Sequence, residues 1–129
     1  MLADSAQVSG GKLFILGGAF DTINARSFPA AVRGLSVVLV AEVAPDDRNR
    51  DLPISIRLFD EDGSALGVES RGMIRVGAPS TLPAGASSLV PLVASFLGVR
   101  FARPGGYVFI VEHEDRELGR IPFRVREPS

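Results

Sequence analysis

The sequence predicts an all-β fold, an antiparallel immunoglobulin-like β-sandwich of about seven to eight strands, formed as one domain over residues 1–129. Strand signals recur roughly every 10 to 20 residues with turn clusters between them, and no stretch sustains a helical period. The final run alternates. Ile121, Phe123 and Val125 fall on one face and Arg120, Pro122, Arg124 and Arg126 on the other, as a half-buried strand requires. Between Val99 and Arg126 two strands are entered through Pro104-Gly105-Gly106, a sharp corner of the kind that leads into a sandwich strand.

The elements follow in chain order. Leu2 to Val8 and Lys12 to Leu16 flank Ser9-Gly10-Gly11, which predicts a hairpin or a kinked first strand. Gly17-Gly18 interrupts the apolar pattern, so a bulge or a close backbone approach is expected there, with Phe20 and Ile23 returning to the core. Gly-Gly-Lys at 10–12 lacks the GxxxxGK[ST] spacing of a phosphate loop and precedes a strand. Leu35 to Val43 is the strongest strand, with apolar residues on both faces in its middle, so something covers its second face. Pro45 to Asp51 is a solvated loop. Pro53 to Asp60 alternates into a hairpin whose tip, Asp60 to Gly63, supplies a left-handed position at Asp62-Gly63.

Ala65 to Val76 reads as a weaker, Gly-interrupted strand pair, and Ala78 to Ser88 as a loop. Ser87 to Phe96 reads as extended, because Pro91 inside a helix would cost about 3 kcal/mol. Pro122 cannot donate to a ladder, which puts the last strand at a sheet edge or pairs it on one side only.

Composition narrows the function classes. The chain has no cysteine, which excludes disulfides, thiolate metal sites and a cysteine nucleophile and is compatible with a reducing cytoplasm. A net charge of −1 from 14 basic and 15 acidic residues leaves no polybasic stripe, so nucleic acid is not an expected partner. All basic residues except Lys12 are Arg. The opening MLADSAQ does not read as a secretory signal, and no apolar run approaches the roughly 18 residues that span a bilayer. A cytoplasmic protein without membrane contact is expected. A hydrophobic share of 46% is high for this length and points to apolar surface covered by another subunit.

No motif assembles a catalytic constellation, and no cofactor is expected. Tyr107, the only tyrosine, follows Pro104 and Gly105 at a strand entry, where sandwiches place a tyrosine that bonds back across a corner. His113, the only histidine, lies in Glu112 to Glu117 and reads as part of a solvated hairpin tip rather than a base or metal ligand. No serine occupies a GxSxG elbow. The acidic clusters Asp46-Asp47 with Asp51, and Asp60-Glu61-Asp62, resemble calcium-holding loops, but they bracket one strand and so fall at its opposite ends.

Leu2-Ala3-Asp4-Ser5-Ala6, Gly11-Lys12-Leu13, Gly17, Phe20-Asp21, Ile23, Phe28-Pro29-Ala30, Phe101, Pro104-Gly105 and Tyr107 together resemble a family of short uncharacterised bacterial proteins, a domain of unknown function. The resemblance implies a stand-alone sandwich without known activity. It supplies no catalytic or binding residue. The expected function is therefore protein-protein contact or self-association as a homo-oligomer, through a sheet face or edge that includes Val38, Val40, Ile121 and Phe123. The alternative is a small-ligand or calcium-binding sandwich using an acidic loop end.

Overall fold

The computed structural model describes residues 1–77 and 87–128. Among these, nine strands and one short 3-10 turn, Pro45–Asp47, follow in order: β1 Leu2–Ser9, β2 Lys12–Phe20, β3 Thr22–Asn24, β4 Ala30–Val43, β5 Leu52–Asp60, β6 Ala65–Ile74, β7 Ser88–Phe101, β8 Gly105–His113 and β9 Arg116–Arg126. They form two sheets, ordered β2-β1-β4-β7 and β3-β9-β8-β5-β6, which pack as an all-β sandwich. The strand total exceeds the expected seven to eight because the chain breaks at Asp21 after β2 and resumes as a separate short strand. That strand, β3, runs parallel to β9, so the second sheet is mixed rather than wholly antiparallel. Ala65 to Val76 also differs from expectation, as one strand rather than two: Gly67 takes φ +76° and the β5–β6 register shifts between Arg57 and Phe59, bending a single strand without ending it. The loop expected from Ala78 to Ser88 lies largely outside the described residues.

Side-chain chemistry accounts for the layers. Leu35 and Val37 on β4, Ile56 and Leu58 on β5, and Tyr107, Phe109 and Val111 on β8 are buried at alternate positions and meet Phe96, Val99 and Phe101 of β7 between the sheets, the β7 alternation shifting by one residue at Gly98, which takes φ +66°. Phe123 and Val125 join them from β9. Aromatic rings run through this core: Phe96 stacks on Phe109 at 5.4 Å, Phe109 on Phe123 at 5.6 Å, and Phe123 on Tyr107 at 5.9 Å. A second, smaller cluster of Val43, Leu52 and Ile74 closes one end.

Two prolines explain their strands. Pro91 lies opposite Val40, and β7 is the outermost strand of its sheet. Val38 exchanges its main-chain bonds with Met1, so by the period of two Val40 also points away from β7, and its partner Pro91 turns its nitrogen to the free edge. Pro122 is accommodated the same way. The N–H of Arg124 donates to the Asp21 carbonyl at 2.9 Å, away from β8, so the Pro122 nitrogen two residues earlier also points away from β8, where β3 does not reach.

Candidate docking groove

The first strand covers little of β4. Leu2 and Ala3 pair with Val37 and Ser36, and Met1 exchanges both main-chain hydrogen bonds with Val38, at 2.7 and 2.8 Å. Beyond Val38 no strand of the described residues pairs with β4 on that side. Because Val38 turns its N–H and C=O toward Met1, the same groups of Val40 and Glu42 point the same way and face an open flank. On the facing sheet, β3 pairs with β9 only at Arg124 to Arg126, which leaves the N–H of Arg120 and the carbonyls of Arg120 and Pro122 along an equally open edge.

Between these two edges lies a groove of about 620 Å³. Leu39, Ile54, Val111 and Ile121 line its floor, and Val38, Val40 and Leu118 its rim, with Leu13 of β2 and Met1 at one wall. Val40 is 53% exposed and Leu118 49%. The charged residues at the rim are Glu42 and Arg120. Arg120 is held by Glu117 at 2.6 and 3.1 Å, and this contact keeps the Glu117 carboxyl below its ordinary range and the Arg120 guanidinium above its own. The guanidinium is therefore engaged on its own strand, and the surface it leaves in the groove is apolar.

Of the residues expected at an interface, Val38, Val40 and Ile121 meet in this groove. Phe123 does not: it is 3% exposed and stacks between Phe109 and Tyr107, because its place on β9 lies opposite Tyr107 inside the sandwich. The covered second face of β4 is in part the chain's own doing. Ser36 and Val38 are buried where Met1 to Ala3 cross, whereas Val40 beyond the crossing is open. Leu39, Ile54 and Val111 escaped the sequence reading because alternation marks them as core, and Leu118 because it falls among the polar positions of its strand.

The remaining polar candidates are engaged with one another. The Tyr107 hydroxyl donates to the Arg103 carbonyl at 2.5 Å, spanning Pro104 and Gly105, and burial pushes its pKa up. The acidic tip between β5 and β6 docks on this corner: Glu61 accepts from the Gly106 N–H at 3.2 Å, Arg103 donates to Asp62 at 3.1 Å, and Asp60 accepts from the N–H groups of Asp62 and Ser64 at 2.9 Å. At the other end of β5, Asp47 pairs with Arg50 and Asp51 with Arg75. Among the described residues no group of three or more His, Asp or Glu is placed to hold a metal ion. His113 Nδ1 lies 2.7 Å from the Pro53 carbonyl, which only accepts, so Nδ1 carries the proton and the ring clamps β8 to the start of β5. Its Nε2 lies 3.8 Å from Glu114. A second depression of about 670 Å³, on the outer face of β5, β6 and β8, is charged, but Arg57 is bonded to Glu112 and Arg71 to Glu69.

The fold and this groove define an all-β sandwich of two sheets with one flank unzipped. No helix among the described residues is long and apolar enough to cross a membrane. The chain belongs to a family of unknown function, DUF6941, whose model matches residues 1–126. No curated protein and no solved structure matches it.

Proposed function

We propose that the protein is a non-enzymatic, immunoglobulin-like sandwich module that works by contact with another protein chain. Its partner offers an extended segment with an apolar side chain at every second position, which lies in the groove between β4 and β9. One observation carries this reading: two unpaired strand edges, at Val40 to Glu42 and Arg120 to Pro122, face one groove with an apolar floor. Main-chain groups on either rim can bond an added strand, and Leu39, Ile54 and Ile121 can receive its alternate side chains. The bacterial, cytoplasmic setting that the family resemblance implies belongs to the same reading, and the cysteine-free composition is compatible with it.

The test is an NMR titration with extended peptides of about ten residues that alternate valine and threonine. The expected result is movement of the Val40, Glu42 and Arg120 amide resonances, abolished by Val40→Arg, which adds bulk and charge at an exposed rim position. Peptides that leave those resonances still, across apolar sequences of different size, would refute the docking mode.

A further inference from the structure

We infer that the chain pairs with a second copy of itself through the free edge of β2, a surface that adjoins the β4–β9 groove at Leu13. The three other outermost strands are each defended against sheet extension. β7 carries Pro91 and Arg100, β6 carries Glu69 and Arg71, and β3 is only three residues long. The edge of β2 carries its one charge, Lys12, at its first residue and has no such guard in its middle. From Leu13 to Leu16 it reads Leu-Phe-Ile-Leu, without charge, proline or glycine, and Phe14, Ile15 and Leu16 are 52%, 39% and 72% exposed.

The hairpin geometry fixes what that edge can pair with. Gly10 and Gly11 both take positive φ, +58° and +73°, as a two-residue type I′ turn requires, so Ser9 and Lys12 flanking it form a hydrogen-bonded pair. Counting back, Phe14 bonds to Gln7 and Leu16 to Ser5, while Leu13 and Ile15 turn their N–H and C=O outward. These two outward residues are self-complementary. In an antiparallel pair with the twofold axis at Phe14, Leu13 of one copy faces Ile15 of the other, and each such pair exchanges two main-chain bonds. Phe14 then meets Phe14 across the axis in the closer, non-hydrogen-bonded position. Lys12 falls opposite Leu16, so no like charges meet, and a net charge of −1 per chain opposes association only weakly. The contact is isologous and closes on itself, joining two four-stranded sheets into one of eight strands.

The chain's lack of cysteine makes the register directly testable. Non-hydrogen-bonded antiparallel partners stand about 4.5 Å apart at Cα, within reach of a disulfide. Phe14→Cys is therefore expected to give a covalent dimer on mild oxidation, whereas Val8→Cys, on the other strand of the hairpin, is expected to remain uncrosslinked. Light scattering after size exclusion of the unmodified chain should show twice the monomer mass, falling toward the monomer on dilution. Ile15→Pro removes an outward donor without touching the β1–β2 ladder, and Phe14→Lys places charge on the axis; both should be monomeric with unchanged circular dichroism and should retain the peptide response of Val40. A chain that is monomeric at all concentrations, or a dimer that survives both variants, overturns the inference. So does cross-linking of Val8→Cys but not of Phe14→Cys.

Discussion

Tyr107 joins two roles in one side chain. Its ring stands edge-on to Phe101 at 4.7 Å, and its hydroxyl closes the corner on the Arg103 carbonyl. Tyr107→Phe keeps the ring and removes the bond, which should cost about 1 kcal/mol near neutral pH. The pH dependence follows from burial, which raises the folded-state pKa of the phenol above its unfolded value. The folded protein therefore holds the proton more tightly; this contribution is complete below about pH 10 and fades as pH rises through and beyond that value. Urea midpoints at neutral and strongly alkaline pH should show a steeper alkaline loss in the natural protein than in Tyr107→Phe. Equal losses would mean that the hydroxyl is not the group responsible. The sequence makes this residue legible because a lone tyrosine after Pro104-Gly105-Gly106 has few other places to go. Ser36 shows the opposite case: its hydroxyl lies 3.0 Å from that of Ser95, 59 residues away, and nothing local announces the pair. Ser95→Ala leaves the buried Ser36 hydroxyl without this partner, so adding Ser36→Ala should cost less in the urea midpoint than Ser36→Ala does in the natural chain.

At the scale of the element, prolines and glycines were the informative residues. Pro91 excluded a helix from Ser87 to Phe96, and the segment is indeed part of β7. Gly17-Gly18 marked the close approach realised between β2 and β1: Gly17 takes φ +63°, and a Cβ there would stand 2.2 Å from Asp4 Oδ2. Gly17→Ala is expected to destabilise the hairpin by about 1–2 kcal/mol, read as faster hydrogen exchange of Phe14 and Leu16, with the amides of β8 unchanged. Equal acceleration in β8 would mean that the hairpin does not open separately. What no element reveals by itself is where it stops pairing. Met1 to Ala3 meet β4 at Val38 to Ser36 only, so the open β4 edge at Val40 and Glu42 is legible from the sheet register and not from the strand pattern, although Val40 and Ile121 could still be named.

The whole molecule is held by pairings far apart in sequence. Ala30 pairs with Phe101, Ser55 with Glu112, and Asn24 with Arg126, so most loops must close before the sandwich gains its core. Such a topology folds on the millisecond-to-second scale, with loop-closure entropy setting the order of events. The core ring Phe109, fully buried between Phe96 and Phe123, joins β7, β8 and β9, and its removal as Phe109→Ala should cost about 3–5 kcal/mol. The β3–β9 pairing closes the longest loop and adds only three residues of ladder, so it offers the least return for its entropy and is expected to form after the rate-limiting step. Ile23, half-buried against the core, tests this order. Ile23→Ala should speed unfolding and leave the folding rate nearly unchanged, whereas Phe109→Ala should slow folding as well. A folding limb slowed by Ile23→Ala in proportion to its loss of stability would place β3 in the nucleus, and the unzipped flank would then be the last part of the sandwich to assemble.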